Sequence, residues 1–278
     1  MMKAAATTAG SLQKTNVSQK RKNTDKNVYG WVKGLVLPFV IIAVWQIAGS
    51  MEIVSATVLP TPLVILLTFK DLIVSGELFV HLKISVYRAA AGFLSGAGLG
   101  LLIGLLVGFS RKTEHYIDPS LQMLRTVPHL AVTPLFILWF GFDETSKILL
   151  IALGAFFPVY INTFLGIRGV DSKLFDVAKV LEFPWYRQMT KLILPAALPS
   201  ILLGIRLSLG IAWLGLVVAE LMGSSEGIGY MIMDARQFSQ TNKVFVGIII
   251  FAVVGKLTDS FVRFLERKLL KWRNSYQG

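Results

Sequence analysis

The sequence predicts an all-α polytopic membrane protein with six transmembrane helices. Three observations carry this reading. Hydrophobic residues make up 54% of the 278 and charged residues only 16%, whereas a soluble domain averages about 25% charged. Several runs approach the ~20 apolar residues needed to cross a bilayer. With six spans drawn and the amino terminus inside, the four inner segments hold seven, three, five and five basic residues, against six in all the outer segments. That is the cytoplasmic bias of Lys and Arg expected of membrane proteins. It also accounts for the net charge of +12 without invoking a nucleic acid. The chain has no cysteine, which excludes disulfides, thiolate metal sites and cysteine nucleophiles.

Residues 1–33 are polar, with a basic cluster at Lys20, Arg21, Lys22 and Lys26, and read as a disordered cytoplasmic tail. The first span covers about 34–50, with Pro38 in its first turn, where proline costs least. Residues 51–89 do not read as spanning. The runs 63–74 and 77–88, broken at Ser75-Gly76, carry Lys70, Asp71, Glu77, His81, Lys83 and Arg88 and suit helices lying in the interface. The second span, about 90–109, has Gly92, Gly96, Gly100, Gly104 and Gly108 at every fourth position. They form a groove that lets another helix approach closely. The third span, about 121–141, contains Pro128 and Pro134, which a spanning helix tolerates near a pathway or moving part. A tight loop with Asp143, Glu144 and Lys147 leads to the fourth span, about 148–167, with Pro158 inside. The fifth covers about 200–222. An outer loop, 223–243, leads to the sixth, about 244–264, and a cytoplasmic tail, 271–278, follows the six-span region 34–270.

Between the fourth and fifth spans lies the longest polar interruption, 168–199, on the cytoplasmic side by the charge bias. Asp171 or Ser172 can cap a short helix. Leu174, Val177, Ala178 and Leu181 then share one face, which predicts a helix over roughly 172–183. A second short helical run, 185–194, is expected to end against Pro195. Two short amphipathic helices between spans suggest a docking surface.

This stretch resembles the coupling-loop signature of binding-protein-dependent ABC importer permeases, E-A-A-x3-G-x9-I-x-L-P. Asp176-Val177-Ala178 stand at E-A-A, Glu182 at the glycine, and Leu192-Ile193-Leu194-Pro195 at I-x-L-P. The spacing fits, while Asp176, Val177, Glu182 and Leu192 depart from the consensus. Further matches lie in VPHLAVTPLFILWFGFDETSKI (127–148), ILPAALPSILLGIR (193–206), AELMGSSEGIGYMI (219–232) and DARQFSQT (234–241). Together these look like the nitrate/sulfonate/taurine branch, and within it the aliphatic sulfonate permeases.

The resemblance implies a type I ABC importer permease fold and a homodimer. It implies a pair of ATP-binding subunits coupled through Leu174, Asp176, Val177, Ala178, Leu181, Glu182 and Pro195, and an extracytoplasmic binding protein that delivers an anion. Taurine, nitrate or a pyrimidine precursor are the alternative substrates. No G-x4-G-K-[ST] phosphate loop occurs, so energy is expected from a partner. The chain itself is expected to be no enzyme and to hold no cofactor.

Intramembrane charges point to pathways, which makes Arg206 a candidate contact for an anion or a residue snorkelling to headgroups. Pro128, Pro134 and Glu220 complete the candidate pathway residues, although Glu220 repels an anion and suits a pairing role better. Lys256 with Asp259, and Asp259 with Arg263, have ion-pair spacing. SSEGIGYM (224–231) can turn its backbone amides toward the pathway. His81, His115 and His129 have no metal-ligand spacing. Trp31 and Trp272 fit interfacial anchoring in lipid. An ion-coupled secondary transporter would instead show carboxylates at span centres and inverted repeats, and neither is evident. A membrane scaffold without transport remains compatible with the spans alone.

Overall fold

A computed structural model describes residues 36–270, with the side chains of residues 129 and 130 outside that description. The tail 1–33 with its basic cluster, the tail 271–278, Trp31 and Trp272 lie outside the described residues. Every regular element among the described residues is helical. The chain divides into two compact units, Met1–Leu66 and Leu67–Gly278.

In the first unit α1, Val36–Ser50, exposes Leu37, Phe39 and Ile41. Its carboxyl end meets the start of α2, Pro62–Val74. The Gln46 side-chain oxygen accepts from the Leu63 amide at 3.0 Å. A Cβ on Gly49 would lie 2.6 Å from Thr61 Cγ2, so this corner requires a residue without a side chain.

The second unit is built on three long helices. Gly76, at φ +79°, ends the approach and starts α3, Glu77–Phe109. The expected interfacial helix over 77–88 is therefore the first three turns of one 33-residue helix. Arg88, which argued for a break there, is satisfied inside the protein. The glycine groove is filled by α6, Glu144–Arg168. A Cβ on Gly96 would come within 2.0 Å of the Ala152 carbonyl oxygen, and one on Gly100 within 2.5 Å of that of Phe156. Backbone thus packs against backbone at the middle of the stripe, while Gly92, Gly104 and Gly108 make room for the side chains of Ile151, Thr163 and Ile167.

The other side of α6 meets α9, Leu194–Gly223. Ser208 donates to the Ala155 carbonyl at 2.7 Å and Ser200 to that of Asn162 at 2.8 Å. Gly204 fits over Pro158. Helix α6 is consequently the most deeply buried of the four helices long and apolar enough to cross a membrane. The fourth, α11, Thr241–Leu269, packs on α9, with Trp213 Nε1 donating to the Phe251 carbonyl at 3.0 Å.

Three further expectations are corrected. The stretch 121–141 is not one helix. Helix α4, Arg111–Arg125, starts ten residues earlier, a 3-10 turn follows over His129–Val132, and α5, Thr133–Phe140, comes last. Pro128 biases the residue before it away from helical geometry, and Pro134 suits the first turn of a new helix better than the interior of an old one. The run 185–194 does not stop at Pro195. Helix α8, Trp185–Arg187, passes through a π-helical stretch, Gln188–Ile193, directly into α9. The wider turn lies where the carbonyl that Pro195 cannot serve is found. The outer loop 223–243 contains α10, Ile228–Gln237, whose Ile228, Met231 and Ala235 are buried. Glycine 247 of α11 lies against Ile232 of α10.

Candidate functional site

The polar interruption folds as the sequence suggests, with different ends. The Asp171 carboxylate accepts from the Lys173 amide at 2.9 Å and caps α7, Ser172–Val180. The helix is shorter than 172–183. Its carbonyls are closed by Glu182 N–H to Lys179 O at 3.0 Å and Phe183 N–H to Ala178 O at 2.9 Å. These are the paired bonds of a Schellman motif. Glu182 takes the left-handed position itself, at φ +49°. The turn is made there, not at Phe183-Pro184, and a glutamate stands where glycine is cheapest.

The apolar face of α7 is split. Ala178 is fully buried, and Phe175 packs on the cluster of Ile167, Ile193, Ala197 and Ile201. Leu174, Val177, Val180 and Leu181 are exposed, Val180 to 83%. Trp185 and Tyr186 extend that patch. Ala178, expected as a small contact point for a partner, is itself buried within this chain. Asp176 and Lys179 form a loose exposed pair at 3.8 Å. Beneath α7 a cavity of about 350 Å³ is lined by Arg111, Arg168, Phe175, Trp185 and Ile193. Arg168 is tied to Glu114 of α4.

The opposite end of the bundle holds a buried ionic cluster. Arg88 of α3 grips Glu144 with two parallel bonds, Nε and Nη2 each at 2.6 Å. Its Nη1 donates to Glu220 at 2.9 Å and to the Glu226 carbonyl at 2.6 Å. Lys147 Nζ donates to Glu144 at 3.1 Å. The Ser85 hydroxyl lies 2.7 and 2.8 Å from the two Glu220 oxygens and accepts from the Ile228 amide. The Gly229 amide completes the Glu220 shell at 2.8 Å, and Gly227 N–H donates to His81 Nδ1 at 3.1 Å. Two cations and two carboxylates balance. Arg88 and Glu220 are 2% and 1% exposed, so the cluster resists loss of either partner far more than a surface pair does.

The amides of 224–231 thus point to Ser85, Glu220 and His81 rather than into an open pathway. Gly227, at φ +116°, is required, because a Cβ there would lie 2.4 Å from Glu220 Oε1. Glu220 has no face left for a passing solute. Arg88, Glu144, Lys147 and Ser85 were not singled out as site residues from sequence. The signal was present: Ser85 and Arg88 continue, at helical spacing, the stripe that runs from Gly92 to Gly108.

Arg206 of α9 is paired as well. Its Nε donates to Asp259 of α11 at 2.9 Å, and Glu266 lies 4.0 Å from its Nη1. Arg263 takes the other Asp259 oxygen, as its spacing predicts. Lys256 does not pair with Asp259 among the described residues, because Arg206 and Arg263 occupy it. Asp118 of α4 accepts from the Tyr160 hydroxyl of α6 at 2.6 Å, a contact between an acid and a span that the sequence reading did not foresee. Pro128 sits at the break after α4 and Pro134 in the first turn of α5. No cluster of three metal-ligating side chains occurs among the described residues.

Residues 96–271 match the family model described as the binding-protein-dependent transport system inner membrane component. A protein of Bacillus subtilis (strain 168), carrying the name aliphatic sulfonates transport permease protein SsuC, is 79% identical over the full length of both chains. Its namesake in Escherichia coli (strain K12) is 49% identical over 86% of this chain and 91% of its own. The taurine transport system permease protein TauC of the same organism is 34% identical over 86% of this chain and 88% of its own. With four long apolar helices, this is a multi-pass membrane subunit of a transport system and not an enzyme. The chain belongs to the family of binding-protein-dependent transport system inner membrane components.

Proposed function

We propose that the chain is the permease subunit of an ABC importer that takes up aliphatic sulfonates. The observation that carries this is the 79% identity, without gaps in coverage, to a protein named for that transport. The more distant taurine relative makes taurine the second reading. Six passes account for the helices: α1, α3, the broken pair α4–α5, α6, the continuous α8–α9, and α11. The bias of basic residues supports a cytoplasmic location, in a bacterial cell, for both termini and α7.

In this arrangement α7 is the handle for two ATP-binding subunits. Leu174, Val177 and Leu181 face the partner, Ala178 and Glu182 set the position of the helix, and Asp176 borders it. Pro195 joins the loop to α9, so a push on α7 reaches a span that packs on α6. A second copy of the chain completes the pathway, with Pro128 and Pro134 at the broken span. The buried Arg88 cluster lies at the outer end, where a binding protein docks, and Arg206 braces α9 against α11.

Uptake into proteoliposomes holding the permease, its ATPase subunits and the binding protein tests the proposal. The expected result is ATP-dependent accumulation of ethanesulfonate and longer alkanesulfonates in preference to taurine or nitrate. Accumulation driven by an ion gradient without ATP would overturn it.

A further inference from the structure

The geometry points to an anion subsite with an apolar tail pocket between α4, α6 and α9, in which Arg125 holds the sulfonate group and Asn162 flanks it. The assignment rests on the proposed uptake of aliphatic sulfonates. A cavity of about 400 Å³, open on one side, lies against the middle of α6. Leu153, Phe157 and Ile161 line it at i, i+4, i+8 spacing, and Leu207 faces them from α9. These residues sit near the centre of the 25-residue α6, halfway between the α7 end and the Arg88 end.

Two polar side chains reach this otherwise apolar space. Asn162 donates one N–H to the Pro158 carbonyl at 2.8 Å, which fixes its amide and leaves a second N–H. Arg125 is the last residue of α4, at the point where the spanning segment breaks. Among the described residues it makes no hydrogen bond or ion pair. Arg88 is neutralised by Glu144 and Glu220, Arg168 by Glu114 and Arg206 by Asp259, while Arg111, which also has no ion pair among the described residues, lines the cavity at the α7 end. Arg125 is therefore the cation with charge to spare beside a mid-span cavity. Broken helices at mid-depth are where membrane transporters place polar solute contacts. A guanidinium matches the oxygens of a sulfonate, and the leucine, phenylalanine and isoleucine walls match an alkyl chain. A solute with a charged end and an apolar end fits this cavity, and Arg206, already paired, is not needed for it.

The absence of cysteine in the chain allows a direct test. Ile161→Cys is introduced into the permease, assembled with its ATPase subunits and binding protein. The thiol is then treated with the anionic 2-sulfonatoethyl methanethiosulfonate or its cationic trimethylammonium counterpart. The expected preference for the anionic reagent, relative to free thiol, is about tenfold, as a nearby unit charge beside an apolar wall provides. Arg125→Gln abolishes the preference and Arg125→Lys keeps it. Hexanesulfonate slows the labelling. In the cysteine-free background, Arg125→Gln lowers alkanesulfonate uptake about tenfold or more, and Phe157→Ala lowers hexanesulfonate uptake more than ethanesulfonate uptake.

Binding-protein-stimulated ATP hydrolysis in Arg125→Gln establishes that the variant is folded and assembled. Equal labelling by the two reagents with Arg125 present, or a preference that survives Arg125→Gln, overturns the subsite. A preference that tracks Arg125, with no protection by any alkanesulfonate, upholds the anion subsite and overturns the sulfonate reading instead.

Discussion

The two ends of the bundle use charge and apolar surface in opposite ways. At the Arg88 end, four ionised side chains are gathered from α3, α6 and α9, and the Arg88 and Glu220 side chains are 2% and 0% exposed. Arg88, Glu144 and Glu220 are each held by several bonds and Lys147 by one to Glu144, and backbone amides of the α10 start close the shell. At the α7 end the ion pairs are partly exposed, while Leu174, Val177, Val180 and Leu181 stand in solvent. A neutral cluster in which Arg88, Lys147 and Glu220 are buried and only Glu144 reaches the surface is complete as it stands. An exposed apolar helix on a seated base is incomplete until something covers it. The difference separates an end that fixes the helices relative to one another from an end that, on the proposed function, receives a partner.

Breaking the closed end produces the largest effect. Arg88→Ala leaves Glu220 buried with its charge uncompensated, and the expected loss is about 3–5 kcal/mol. The measurement is thermal unfolding of the purified permease in detergent. A variant as stable as the wild type would remove the contrast between the ends. Replacing Arg88 and Glu220 together by methionine is expected to recover part of the loss, because apolar residues of similar size demand no partner.

At the open end, Val177→Asp is expected to leave unfolding unchanged, since the side chain is already exposed. It weakens association with the ATPase subunits by about thirtyfold, the value of a ~2 kcal/mol contact in an interface core. Co-purification of the subunits and binding-protein-stimulated ATP hydrolysis read this out. By contrast Ala178→Lys forces a charge into the α7 seat and is expected to lower both stability and coupling. Glu182→Gly relieves a left-handed glutamate, and about 1 kcal/mol of local stability is expected. Slower hydrogen exchange at the Phe183 amide, with transport retained, is the check. The smallest effect belongs to Arg206→Gln. Its pair with Asp259 is about one-third exposed, and such pairs contribute little. The melting temperature should stay close to the wild-type value, and a fall comparable to that of Arg88→Ala would erase the distinction between buried and exposed pairs.

Much of the fold was legible locally. The glycine stripe marked the face of α3 that α6 covers. Asp171 marked the start of α7, and Ser75-Gly76 marked the start of α3. The misreadings share a physical cause. Read locally, charge is a sign of solvent, and Arg88 splits one helix into two. Its partners, Glu144 and Glu220, lie 56 and 132 residues away, and no local window contains them. Read locally, proline is tolerated at Pro128, where the chain in fact breaks, and is a stop at Pro195, where a π-helical stretch carries the helix through.

What the sequence by itself determined is what depends on composition and spacing: an all-helical membrane chain, its apolar segments, the register of the glycine face and the position of the α7 loop. These follow from hydropathy, helical periodicity and capping, which act within a few residues. Only the tertiary structure decided which charges are spent and which are free. Glu220 and Arg206 drew attention as intramembrane charges, yet both are paired across helices. Arg125 carries no sequence signal that sets it apart from the other basic residues. It stands beside a mid-span cavity because the third spanning segment breaks there, and whether a charge is neutralised depends on helices that meet only when the chain folds.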